Sequence, residues 1–142
     1  QISINKTLVY KNNNIPGFFA CICKSILCNW MVTTGVMMGF TSKSTLGKII
    51  AMWLPIFTFY AIGLEHLVVN FYVLIQGLLY NCNNITFGIV LFWNWIPATF
   101  GNVIGGIVCT ALVYWYLYAK TSINNHRSPR ISINGSTNIQ DN

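Results

Sequence analysis

The chain has 142 residues, of which 54% are hydrophobic and only 7% are charged, and its mean hydropathy is +0.55. A water-soluble domain carries roughly 25% charged residues, so this chain lacks the polar surface of one and reads as an integral membrane protein. Its formal net charge is +6, but the basic residues are scattered around apolar runs and form no stripe, which excludes a nucleic-acid-binding surface and marks them as topology signals.

Residues 1–14 are polar and Asn-rich, with Lys6 and Lys11, and are expected to be a loop or interfacial tail. No basic start followed by a small-residue cleavage site is present, so no signal peptide is read. The first residue is Gln1, and an incomplete sequence is expected, with a true half-length product as the alternative.

The first apolar run, Ile15 to Thr41, is long enough to cross a bilayer. Pro16 suits a helix start. Lys24 lies close enough to one end to snorkel to the interface. Asn29 is expected to bind another helix, and Gly35 and Gly39 stand at the small-xxx-small spacing that lets helices approach closely. Cys21 and Cys23 form a C-x-C pair. Residues two apart on a helix point to different sides, and no further ligands complete a metal site. All five cysteines are expected to be free thiols acting as small apolar residues.

Residues 42–48 form a short loop with Lys43 and Lys48, placing that side in the cytoplasm. The next run, 49–80, would reach ~48 Å as one helix, against a ~30 Å hydrocarbon core. It contains Pro55 and Gly63, followed by Glu65, His66 and Asn70. Two alternatives remain: one tilted helix with a proline kink, or a helix broken near Gly63. The excess length favours the break, and transporters build their sites at such breaks. Glu65 is the only acidic residue before Asp141, and His66 is one of two histidines. Ionisable residues inside a span are costly and point to a functional site, although a pair that only ties helices together is the plainer alternative.

Residues 81–86 are an uncharged loop expected on the external side. The third apolar region covers 87–119. Trp93, Asn94, Trp95 and Pro97 read as an approach at headgroup level, with the span itself from about Pro97 to Ala119. Gly101, Gly105 and Gly106 give it a small face that also carries Asn102. Residues 121–142 are Ser- and Asn-rich, with Arg127 and Arg130, and read as a disordered cytoplasmic tail. The domain plan is a loop (1–14), a transmembrane unit (15–120, spans about 15–41, 49–80 and 97–119) and the tail. Lys6 and Lys11 fall on the wrong side for the charge rule.

Three segments together carry a resemblance. They are Leu27-Cys28-Asn29-Trp30-Met31-Val32, then Lys48 to Pro55 running on to Gly63-Leu64-Glu65-His66 and Asn70, and finally Asn94-Trp95-Ile96-Pro97 through Gly101-Asn102 to Gly105-Gly106. In order and spacing they resemble the formate/nitrite transporter family over roughly residues 18–119, as the second half of its protomer. The resemblance implies an all-α, aquaporin-like bundle of two inverted three-span repeats. This chain would hold three transmembrane spans, half of a six-span protomer, with the middle span broken. It further implies a homopentamer in the lipid bilayer, with one pore per protomer for formate, nitrite, lactate or a similar small monovalent anion, together with protons; the residues themselves suggest no cofactor and no metal. His66 matches the central pore histidine, Phe59 an aromatic constriction, Asn102 a pore-facing asparagine, and Asn70 and Glu65 their places in the histidine motif. Gly63 and Glu65 are expected to be structural at the break, with Glu65 bonding freed backbone groups.

Two departures stand out. The first repeat and its other broken span are absent, and the place of the family's external lysine falls near Asn13, in an Asn run with no clear equivalent. The expected function is transport of small monocarboxylates, channel-like or proton-coupled, in a multi-pass protein of the plasma membrane. The alternative is a truncated, non-transporting paralogue that associates with full-length subunits. The Glu-His pair comes with no nucleophile, metal set or cofactor motif, so the chain does not read as an enzyme.

Overall fold

A computed structural model describes residues 2–80 and 85–119; the tail from 121 onward and most of the 81–86 loop lie outside the described residues. Every element among them is helical. Helices α1 (Ile2–Asn5) and α2 (Leu8–Asn12) are short. Helix α3 runs Asn14–Thr41, α4 Thr45–Ile62 and α5 Leu67–Leu79. Helix α6 is one rod of 33 residues, Phe87–Ala119, with wider π-helical turns at Leu91–Trp95 and Ile107–Leu112. Helices α3, α4 and α6 are long and apolar enough to cross a membrane.

The stretch expected as an N-terminal loop is thus largely helical. It folds back from α3 through Asn14, which adopts a left-handed φ of 50°, a conformation asparagine tolerates better than most residues. Ser3 Oγ donates to Val73 O at 3.0 Å, docking α1 on α5. Ser3, Lys6, Thr7 and Tyr10 of this stretch find partners in the protein, which the sequence pattern does not reveal.

Helix α3 is the hub. On one side Gly35 and Gly39 face Pro55 and Met52 of α4, where a Cβ would come within 3.0 and 3.2 Å of those side chains. On the other, Gly101 and Gly105 of α6 lie directly on the α3 backbone at Ile22 and Ile26. Two polar ties cross the same interface: Asn29 Nδ2 donates to Asn102 O at 2.6 Å, and the Thr33 and Thr110 hydroxyls pair at 2.6 Å. The outer faces are lined with exposed apolar side chains, Phe40, Ile49, Trp53, Phe100 and Trp115 among them. Phe59 is the one buried residue of α4. Cys21 and Cys28 are buried as expected of small apolar residues, but Cys23 is exposed on the outer face.

The middle span is broken. Helix α4 ends in a Schellman turn: Leu64 N–H donates to Phe59 O at 3.0 Å and Gly63 N–H to Tyr60 O at 3.1 Å. Gly63 takes φ 73°, ψ 42° at the C-terminal cap. No atom lies within 4 Å of a Cβ built there, so the requirement for glycine is conformational rather than steric. Gly63→Ala is expected to cost about 1–2 kcal/mol, read as a lower midpoint of thermal unfolding in detergent, with Gly63→Asn recovering part of the loss. The chain then runs extended through His66 (φ −98°, ψ 121°) before α5 begins.

Candidate functional site

The break leaves a four-residue non-helical stretch between two helix ends, and the rest of the molecule converges on it. Glu65 is 2% exposed. Its Oε2 accepts from Asn70 Nδ2 at 2.7 Å, Lys6 Nζ at 2.9 Å and Asn94 Nδ2 at 3.2 Å. Its Oε1 accepts from the Tyr10 hydroxyl at 2.9 Å. Burial, and after it the Glu65 carboxylate, push the Tyr10 phenol well up from its ordinary value, so Tyr10 keeps its proton and acts as a donor. Lys24 Nζ closes the outer end, 3.3 Å from the Tyr10 hydroxyl. A buried carboxylate needs its charge compensated and its lone pairs filled, and here one ammonium and three neutral donors do both.

Glu65 was expected to bond backbone groups freed by the break, but its carboxylate takes side-chain donors instead. The backbone role falls to Asn102, whose Nδ2 donates to Glu65 O at 3.0 Å and to Ala98 O at 2.8 Å. Asn70 is fully buried, and its Nδ2 also donates to Asn94 Oδ1 at 3.0 Å. Asn70 and Asn102 therefore hold the break together, and the cavity beside His66 is walled by other residues.

That cavity has a volume of about 250 Å³ and is lined by Phe59, Gly63, Leu64, His66, Val69 and Lys6, among others. The His66 ring stacks on Phe59, with centroids 5.5 Å apart and planes at 25°. His66 Nδ1 is buried without a hydrogen-bond partner. Buried polar atoms are ordinarily paired, and this one is an exception on a ring that lines the cavity. The N-terminus of α5 opens at the same place, and a helix start presents free N–H groups and a partial positive charge. Among the described residues no three His, Cys, Asp or Glu side chains come together as a metal site.

Sequence reasoning brought His66, Phe59, Gly63, Glu65, Asn70 and Asn102 to one region, and they do meet there. It missed Lys6, Tyr10 and Asn94. Asn94 and Trp95, expected at headgroup level, are buried. A signal for Asn94 was present: Asn94, Ala98, Gly101, Asn102 and Gly105 recur at helical spacing, so Asn94 extends the small face of α6. The π turn at Leu91–Trp95 is a feature that often accompanies functional sites. For Lys6 the only hint was its place on the wrong side of the charge rule.

Three membrane-length helices, the middle one ending at a break that α5 continues, and a cavity at that break fit a multi-pass integral membrane protein. The chain belongs to the formate/nitrite transporter family, whose model it matches over residues 3–116. It is 38% identical over 97 residues to a probable formate transporter of Methanothermobacter thermautotrophicus, covering 68% of this chain and 35% of that protein. Similarity to formate-nitrite transporter 3 of Toxoplasma gondii is 36% over 104 residues, covering 73% and 21%. The formate channel FocA of Escherichia coli is 30% identical over 126 residues, covering 77% and 44%. The fold matches a solved pentameric formate channel with formate bound, at a TM-score of 0.64 and 24% identity, over 82% of this chain and 52% of that one. This establishes the aquaporin-like helical fold. The chain spans less than half the length of each of these curated relatives and about half of the solved channel. The family's members are transporters and channels, not enzymes.

Proposed function

We propose that the protein carries a small monovalent anion or its conjugate acid, formate first and nitrite or lactate by extension, along a path that passes His66. The observation that carries this is the His66 imidazole, an ionisable ring that lines the cavity, stacks against Phe59 and has an Nδ1 without a hydrogen-bond partner in the protein. A bare anion in an apolar pore suffers a large desolvation penalty that its neutral acid mostly avoids. Imidazole gains or loses a proton near neutral pH, so His66 is suited to hydrogen-bond the substrate and supply the proton that neutralises it. Phe59 narrows the path and excludes water. Asn102 has both amide hydrogens engaged with the carbonyls of Glu65 and Ala98, so it serves the path by fixing the backbone beside His66. Asn70 acts through Glu65. The free N–H groups at the start of α5 favour negative charge at the same point.

The resemblance to a pentameric formate channel supports assembly as a homopentamer. Lys43 in the α3–α4 connection, with the basic residues of the tail, supports a cytoplasmic location for both, in a plasma membrane. The test is formate uptake by the protein in lipid vesicles at two pH values. His66→Phe is expected to lower uptake by at least about tenfold, on the scale of a lost proton-transfer group, and to flatten its pH dependence. Unchanged uptake with an unchanged pH dependence would rule out this role for His66.

A further inference from the structure

Lys6 stands between the buried carboxylate and the cavity. Its Nζ donates to Glu65 Oε2 at 2.9 Å and to Leu64 O at 3.4 Å. An ammonium carries three donors, so among the described residues one is left over. The Lys6 side chain is 15% exposed and that of Glu65 2%, and Lys6, not Glu65, lines the cavity with His66 and Phe59. The positive member of the pair thus faces the cavity and the negative member lies behind it. The other groups on Glu65 are the neutral Tyr10, Asn70 and Asn94, and the next charge, Lys24, reaches only Tyr10.

Glu65 is one residue from His66, so an anion beside the imidazole would meet the field of that carboxylate. Water and salt screen such a field poorly where the surroundings are apolar. A bare Glu65 would therefore repel the ligand that the cavity is proposed to receive. We propose that Lys6 is a specificity-determining residue: it cancels the Glu65 charge toward the cavity and offers its spare N–H to a small monovalent carboxylate or oxyanion lying beside His66. The proposal rests on the cavity being the anion's path. The lysine comes from the turn between α1 and α2 and reaches the break across 59 residues of sequence, so this short N-terminal hairpin becomes part of the site rather than a tail.

The experiment measures the concentration dependence of radiolabelled formate uptake by the full chain in vesicles. Absence of uptake by the unaltered protein overturns the proposed function, and this inference with it. Where the unaltered protein takes up formate, the variants test Lys6 alone. Lys6→Gln unmasks Glu65, and the apparent KM for formate is expected to rise about tenfold or more. Glu65→Gln keeps an acceptor oxygen but leaves Lys6 uncompensated, and KM is expected to fall by a similar factor. Lys6→Arg keeps the charge and stays nearer the unaltered value than Lys6→Gln. Opposite signs for the two glutamine variants support the proposal. Shifts of the same sign, or a loss confined to maximal rate in both, mark a purely structural ion pair and overturn it. If Lys6→Gln yields no monodisperse protein in detergent, Glu65→Gln decides alone, and an unchanged or raised KM overturns the proposal.

Discussion

Gly105→Leu is expected to abolish folded protein, seen as loss of the monodisperse peak on size exclusion in mild detergent. A Cβ at Gly105 would collide with the carbonyl of Ile26 and lie 3.1 Å from Trp30 N. Both obstacles are backbone atoms of α3, so no rotamer change relieves the clash. The helices must separate, and separation breaks the Asn29 to Asn102 O bond and the Thr33–Thr110 pair on the same interface. Overpacking costs about 1–3 kcal/mol where side chains can give way, and the loss here exceeds that range because they cannot. Gly88 is the control. It lies on α6 with nothing within 4 Å of its Cβ, so Gly88→Leu should leave the peak unchanged. Equal behaviour of the two variants would show that the glycine face of α6 does not set the approach of α3.

The contrast among glycines shows which parts of the fold the sequence makes legible. Gly101 and Gly105 announce their role by spacing alone, because close helix contact demands small residues at one face. The break was legible for a similar reason: a 32-residue apolar run is longer than the bilayer, and Gly63 with Glu65 and His66 supplies the point where a helix can stop. That Phe59 and His66 belong to one site followed from the resemblance; the stacking of their rings across the break did not, and comes from the structure. The partners of Glu65 were not legible. Lys6, Tyr10 and Asn94 reach it across 59, 55 and 29 residues, and no local pattern encodes such a meeting. Asn94 was obscured further by its two tryptophan neighbours, which suggested a headgroup position, and by the π turn, which shifts side-chain directions without a sequence mark. Residues 2–12 are hard to read because they serve two ends at once: Ile4, Leu8 and Tyr10 pack against the core, while Ser3 and Lys6 bond α5 and the break.

Glu65→Leu is expected to destabilise the protein by about 3–5 kcal/mol, the range for removing one partner of a buried ion pair. Leucine fills much of the same volume but accepts nothing. Lys6 loses its counter-charge, and Tyr10, Asn70 and Asn94 each lose an acceptor at a site where almost no water replaces it. Because Lys6 is partly exposed to the cavity, its charge can be hydrated, and the loss should fall toward the lower end. Glu65→Gln retains one acceptor oxygen for the Lys6, Asn70 and Asn94 side and turns an amide toward Tyr10, so its cost should be nearer about 1 kcal/mol, that of a typical hydrogen bond. Removing both charges together, in Lys6→Met/Glu65→Leu, should recover part of the stability lost in Glu65→Leu, since a buried pair replaced as a whole by apolar residues is often neutral. Unfolding by a denaturing detergent titrated into micelles ranks the three variants. If Glu65→Leu proves as stable as Glu65→Gln, the carboxylate does not organise the break, and the convergence of α1–α2, α5 and α6 on it must be held by the Asn94 bonds to Lys6 O and Asn70 and the Asn102 bond to Glu65 O instead.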